Sequence, residues 1–253
     1  MSYADRIPAA GLSLPIGALA VGLLAWWAVV ALAGIPAYLL PTPVAVAERL
    51  ADRPGLYLRN GAITLRRILV GGAMGVVGGF GVAAIVAHST LLRRALSPYL
   101  VTARVLPKIA VAPLLLVYLG TGARTASVFV ALVAFFPTFV SSASGLAETP
   151  DEYLDLLRSV EAGPVRTVLF VRIPAALPSV FAGLKQSAAL AVVGAVVAEW
   201  ILTDAGLGYL VLIGAENVQT DMVLAAVAVL FAEGMAVYGA VVAVENRVSW
   251  RLD

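Results

Sequence analysis

Residues 7–47 run for 41 positions without a single charged side chain, a pattern foreign to soluble domains. A helix of about 20 apolar residues crosses the hydrocarbon of a bilayer, so a run of this kind predicts a membrane-spanning segment. A second charge-free run, residues 125–147, makes the same demand. Composition extends the argument to the whole chain. Its residues are 61% apolar and 13% charged, where soluble domains sit near about half and about a quarter.

The 253 residues supply five or six spans with short connections, so one polytopic domain over residues 1–253 is expected, an all-α helix bundle of about six transmembrane helices. No room remains for a large soluble enzyme. The net charge of +2 is small and the bases fall between apolar runs, which reflects topology rather than a nucleic-acid footprint. The absence of cysteine excludes disulfides, thiolate metal sites and iron–sulfur ligation by this chain, and His88 alone cannot build a histidine metal site. Ala31-Leu32-Ala33 has the small-x-small form of a signal cleavage site. The preceding apolar run exceeds the about 7 to 15 residues of such signals, so the segment is expected to stay as a span.

The expected spans are 14–34, ended by Ile35-Pro36 and Pro41-Thr42-Pro43; 63–87; an irregular third within 95–123, interrupted by Arg104 and Lys108 and bent by Pro107 and Pro113; 125–147, with Pro137 in its middle; 176–202; and 222–244. Residues 44–60 read as a short surface helix and loop, 203–221 as a loop, and 245–253 as a polar tail. Gly71, Gly75 and Gly79 lie at four-residue spacing in the second span, a face that lets another helix backbone approach closely. Glu199 and Glu233 fall inside apolar spans, where an ionised group is costly and a role along a transport path is one reading; an interfacial or packing carboxylate is the other.

Orientation follows from the bases. With residues 155–178 cytoplasmic, the inside gains Arg6, Arg93, Arg94, Arg158, Arg166, Arg172, Arg247 and Arg251. The outer 203–221 loop then holds Asp204, Glu216 and Asp221 but no Lys or Arg. Residues 48–67 dissent, carrying five Arg on the outer side.

Thr149-Pro150-Asp151-Glu152 has the form of a helix start, with Thr as N-cap, Pro at the first helical position and Glu closing a capping box. The helix that follows is amphipathic, Gly163-Pro164 breaks it, and a second short helix carries Val165, Val168 and Leu169 beside Arg166 and Arg172 before Ile173-Pro174 leads into the next span. Two such helices at about a right angle form a knob that seats in a groove of a soluble partner; a passive interfacial helix would share the amphipathicity.

The residues themselves resemble the coupling loop of bacterial ABC-transporter permeases, in which EAA is followed by three residues, Gly, nine residues and Ile-x-Leu-Pro. Asp155-Leu156-Leu157 stands in the place of EAA and Val171-Arg172-Ile173-Pro174 in the place of the closing element, while Glu161 occupies the usual Gly position and Gly163 follows two residues later. Further segments are similar, in order over about residues 60–245, to permeases of binding-protein-dependent importers of the nitrate, sulfonate and taurine type: Leu106-Pro107-Lys108 with Pro113, Phe135-Phe136-Pro137, Pro174 to Pro178, and Gly194 to Glu199 with Gly206-Leu207-Gly208-Tyr209.

That resemblance implies the type I ABC importer permease fold, with a core at about 60–245 and a coupling loop at about 149–174. It implies a second permease copy, two ATPase subunits docked on the loops, an external periplasmic or lipid-anchored binding protein, and residence in the bacterial inner membrane with the loop and C-terminus cytoplasmic. Asp155, Arg158, Glu161, Arg166 and Arg172 are the expected polar contacts of the loop, Leu157, Val160 and Val165 the apolar ones, and Gly163 and Pro174 shape its turns. No Gly-x4-Gly-Lys-Ser/Thr is present, so this chain is expected to bind no cofactor and to be no enzyme, with ATP and Mg held by the partner. The solute expected is nitrate, a sulfonate, taurine or a similar organic anion. The alternatives are a pyrimidine- or riboflavin-like vitamin precursor, or a proton-driven carrier using Glu199 and Glu233.

Overall fold

A computed structural model describes residues 13–88, 91–92, 95, 102, 107–148 and 163–249. Eight α-helices are labelled here in chain order: α1 (Ser13–Leu32), α2 (Pro43–Asp52), α3 (Pro54–His88), α4 (Ala112–Leu119), α5 (Ala123–Ala147), α6 (Ile173–Ile201), α7 (Leu207–Glu216) and α8 (Thr220–Ser249). The described residues contain no strand. Five helical stretches are long and apolar enough to cross a membrane: Leu14–Leu32, Pro54–Ala87, Ala123–Ala147, Phe170–Ile201 and Thr220–Val248. The third expected span is represented among the described residues by the shorter apolar stretch Lys108–Leu119.

The core is a three-helix layer with α5 between α3 and α6. The glycine face of α3 explains how close that layer is. A Cβ on Gly71, Gly75 or Gly79 would stand 2.6, 2.4 and 2.6 Å from the carbonyl oxygens of Ser127, Ala131 and Phe135, so only glycine admits α5 at this distance. The pairings rise together along both chains, which makes α3 and α5 parallel. On the opposite flank Gly183 meets Ser141 and Pro137, and Gly194 meets Val133 and Val130, so α6 runs antiparallel to α5. By contrast, α1 and α8 are only 6% buried over their apolar windows and lie on the outside of the bundle.

Pro137 sits inside α5, where it removes one backbone donor and disturbs a turn. The Ser187 hydroxyl of α6 donates to the Ala134 carbonyl in that turn at 2.7 Å. Its proton being used there, Thr138 is the donor in the 2.8 Å bond between Thr138 Oγ1 and Ser187 Oγ.

Three expectations change. Within residues 44–60 the short surface helix is present as α2, which begins at Pro43, is capped by Thr42 accepting from Ala45 N and buries only Val46, but the loop is not: α3 starts nine residues before the expected boundary, with Tyr57 and Asn60 facing the interior. The loop 203–221 holds the apolar helix α7. The polar tail is helical through Ser249, and its Glu245 is held by Lys185 Nζ at 2.9 Å. Ile173-Pro174 leads into the next span, as expected. One α-turn (Pro164–Thr167) passes through a π-turn (Val168–Arg172) straight into α6, with the Ile173 N–H reaching back to Val168 O. Pro174 therefore lies within a continuous helical stretch, and the widened π-turn just before it is where the hydrogen-bond ladder is disturbed next to its missing N–H.

Candidate functional site

Halfway along the bundle, α5 and α6 face the 3₁₀ turn Lys108–Val111 across a cavity of about 350 Å³. Lys108, Phe136, Ser141 and Gln186 supply its chemistry and Pro137, Val140 and Leu190 its remaining wall. The Lys108 ammonium stands over the Phe136 ring, 5.1 Å from its centroid, a cation–π placement that steadies a charge without neutralising it. Phe136 is fixed in turn by an edge contact with Phe135 at 5.3 Å, and Phe135 stacks on Phe139 at 5.7 Å. A cation, a hydroxyl and a carboxamide therefore converge at mid-membrane depth, where polar side chains mark pathways rather than packing. Sequence reading took Lys108 as an interruption of the third span. The signal it missed was Gln186 and Ser141, polar residues in the centres of two spans.

Glu199 lies elsewhere. It is 0% exposed, sits in the last turn of α6 and does not line this cavity. Arg67 Nη1 of α3 donates to Glu199 Oε1 at 2.8 Å and to the Ala205 carbonyl at 2.7 Å. Thr64 Oγ1 donates to Oε1 at 2.8 Å, and the Gly208 N–H donates to Oε2 at 2.7 Å. Thr64 also accepts from Leu207 N, and Asn60 Oδ1 accepts from Gly206 N, both at 2.8 Å. One polar face of α3 thus holds the whole turn between α6 and α7. Gly206, at φ +114°, has the carboxylate where a Cβ would stand, 2.2 Å from Glu199 Cδ, so the turn requires glycine twice over.

Glu233 is half-buried on α8. Gly61 leaves room for it, since a Cβ there would be 2.7 Å from Glu233 Oε1, and Glu233 Oε2 is buried without a hydrogen-bond partner. Neither glutamate lines the Lys108–Gln186 cavity.

Of the expected coupling-loop contacts, Asp155, Leu157, Arg158, Val160 and Glu161 lie outside the described residues. Gly163 and Arg166 are exposed, and Pro174 is half-buried in the first turn of α6; Val165 belongs to the turn Pro164–Thr167. Arg172 is turned inward: its Nη1 donates to the Ala87 carbonyl at 3.0 Å, tying the end of the loop segment to the last turn of α3.

The objection raised by the arginines of residues 48–67 has a structural answer in part. Arg49 binds Gln219 Oε1 at 2.8 Å and Asp221 Oδ2 at 3.5 Å, and Arg67 is neutralised by Glu199.

Residues 75–250 match the family described as the binding-protein-dependent transport system inner membrane component. A probable ABC transporter permease protein of Haemophilus influenzae is 33% identical over 236 residues, 93% of this chain and 96% of that protein. The riboflavin transport system permease protein RibX of Chloroflexus aurantiacus is 32% identical over 225 residues, 88% and 83% of the two chains. Permeases named for formylaminopyrimidine, taurine, aliphatic sulfonates and nitrate also match, at 33%, 30%, 27% and 30% identity. In fold, a chain of the MetNI methionine ABC transporter in an inward-facing conformation superposes with a TM-score of 0.68 at 19% identity, over 78% of this chain and 98% of that one, in agreement with the type I importer permease fold. The chain belongs to the family of inner membrane components of binding-protein-dependent transport systems, as a multi-pass ABC permease subunit whose ATP hydrolysis resides on a separate subunit.

Proposed function

We propose that this permease imports a small organic anion handed to it by an external binding protein, and that the Lys108–Ser141–Gln186 cavity is the point its solute passes at mid-membrane. The observation that carries this is the Lys108 ammonium, which has an aromatic ring but, among the described residues, no carboxylate in the cavity beside it. A cation so placed attracts an anion, while Ser141 and Gln186 offer the hydrogen bonds that replace part of its hydration. Relatives named for taurine, aliphatic sulfonates and nitrate fit that chemistry. A second reading, a pyrimidine- or flavin-like vitamin precursor, is favoured by the Phe136 ring in the same cavity, on which a flat heterocycle stacks, and by the relatives named for riboflavin and formylaminopyrimidine.

In this reading two permease copies form the path, and two ATPase subunits, which hold Mg-ATP, dock on residues 149–174 from the cytoplasm. The whole of 1–253 acts as one permease domain, its core at about 60–245. Asp155, Leu157, Arg158, Val160, Glu161, Val165 and Arg166 face the ATPase, and Gly163 and Pro174 set the turns. Arg172, bound to Ala87 O, passes movement of that segment to α3, so that closure of the ATPase pair rocks α3, α5 and α6 together between two rigid arrangements. A proton relay through Glu199 is disfavoured by its fully formed set of donors.

The test is to identify the ligand that co-purifies with the neighbouring binding protein, then to measure its ATP-dependent uptake by wild type and Lys108→Ala. An anionic ligand whose uptake falls in the variant, with ATPase docking unchanged, supports the first reading. A neutral heterocycle whose uptake falls in Phe136→Ala but not in Lys108→Ala supports the second. Uptake untouched by either change contradicts the cavity assignment.

A further inference from the structure

Two arginines at one level of the bundle have no anionic partner. Arg49 pairs with Asp221 and Arg67 with Glu199, but Arg66 and Arg124 make no ion pair among the described residues. Both are exposed, and both line a cavity of about 700 Å³ between α3 and α5.

Their depth follows from the sequence. Residues 68–87 of α3 are charge-free, and at about 1.5 Å per residue they cover about 30 Å, the hydrocarbon thickness of a bilayer. Arg66 therefore stands at headgroup level. Arg124 is in the first turn of the parallel helix α5, at the same end. The start of α5 has no side-chain cap, so its first N–H groups point toward the same rim, an arrangement that favours phosphate. Below the rim the wall is apolar, formed by Val70, Met74 and Val128. Val70 is 45% and Met74 52% exposed, and Val77, deeper on α3, is 72% exposed.

A free solute anion needs polar contacts on several sides; of the other polar side chains lining this cavity, Ser127 donates its proton to the Ala123 carbonyl at 3.0 Å and Arg67 is engaged by Glu199 and the Ala205 carbonyl. A basic rim above an apolar groove is complementary to an acidic head carrying hydrocarbon, and basic pockets between transmembrane helices bind such heads. We propose that the α3–α5 groove binds an anionic phospholipid, its phosphate held by Arg66, Arg124 and the start of α5 and its acyl chain laid along Val70 and Met74.

Native mass spectrometry of the purified permease with added phosphatidylglycerol, phosphatidylcholine or inorganic phosphate tests this. Phosphatidylglycerol should remain bound to wild type and to R53Q/R59Q, which removes equal charge outside the groove. Its occupancy should fall about tenfold in R66Q/R124Q, and it should also fall in V70W/M74W, which keeps the charges and fills the groove. Phosphatidylcholine and inorganic phosphate should not remain bound. Equal phosphatidylglycerol occupancy in R66Q/R124Q would overturn the proposal, as would displacement of the lipid by inorganic phosphate, which marks a soluble-anion site. So would loss of binding-protein capture in R66Q/R124Q with lipid retention unchanged.

Discussion

Glu199→Leu and Arg67→Met form a cycle that asks whether the α6–α7 turn is held to α3 by a charge pair or by shape. Glu199 is 0% exposed and takes donors from Arg67, Thr64 and Gly208. In Glu199→Leu, Arg67, with its side chain 7% exposed, keeps only the Ala205 carbonyl and becomes a buried, unneutralised cation. Removing one partner of such a pair costs about 3–5 kcal/mol. Arg67→Met leaves the carboxylate with two neutral donors and falls in the same range, about 3–5 kcal/mol. The double variant removes both charges and leaves the Gly208 N–H short of an acceptor, at about 1–3 kcal/mol, while the Thr64 hydroxyl keeps the Asn60 carbonyl at 3.1 Å. It should therefore lose about 1–3 kcal/mol rather than the about 6–10 kcal/mol of two independent losses. Thr64→Val, which removes one neutral donor to the carboxylate and leaves the Leu207 N–H without its acceptor, should cost about 1–3 kcal/mol and serves as the uncharged reference. Equilibrium unfolding in mixed micelles, followed by the fluorescence of the tryptophans, reads all four. Additivity of the two single variants within about 0.5 kcal/mol would refute the coupling.

Gly75→Ala, whose Cβ would press on the Ala131 carbonyl at 2.4 Å, should lower stability by about 1–3 kcal/mol. Gly81→Ala, which meets nothing within 4 Å, should be neutral or gain up to about 1 kcal/mol of helix propensity; the midpoint of thermal unfolding distinguishes them. Lys185→Ala breaks a partly exposed pair with Glu245 and should cost less than about 1 kcal/mol by the same measurement. Lys108→Ala should reduce uptake of an anionic solute about tenfold or more, by loss of a charge-assisted contact, while leaving the basal ATPase rate of the assembled complex in place. Arg158→Glu with Arg166→Glu should abolish co-purification of the ATPase without changing the yield of folded permease; normal co-purification and uptake would remove these residues from the docking surface.

The long spans were legible because a charge-free run of span length has few other uses, and the glycine face of α3 because four-residue spacing places small residues on one line. The departures share a cause. Tyr57 and Asn60 look like residues of a wet loop, but α3 continues through them because Asn60 and Thr64 bind the backbone of residues 206–207 and Arg67 binds Glu199, partners more than 130 residues away that no local pattern announces. Gly206-Leu207-Gly208 was recognisable as a family motif, while its physical reason, a carboxylate occupying the place of a side chain, is a property of the folded turn. The helix α7 was hidden because its ten residues, ending in Glu216, are too few for a span and sit among the acids Asp204, Glu216 and Asp221. The cavity residues were each visible as oddities, Lys108 beside a proline and Gln186 in mid-span, and only the antiparallel packing of α6 on α5 brings them together.

The central claim is that this chain moves solute when a separate ATPase drives it. Proteoliposomes containing the permease, its ATPase and its binding protein, loaded with ATP on the ATPase side, should accumulate the binding protein's ligand. Accumulation should stop when ATP is replaced by a non-hydrolysable analogue and should be indifferent to an imposed pH gradient. Uptake that persists without ATP and the ATPase, and follows the pH gradient, would contradict the account.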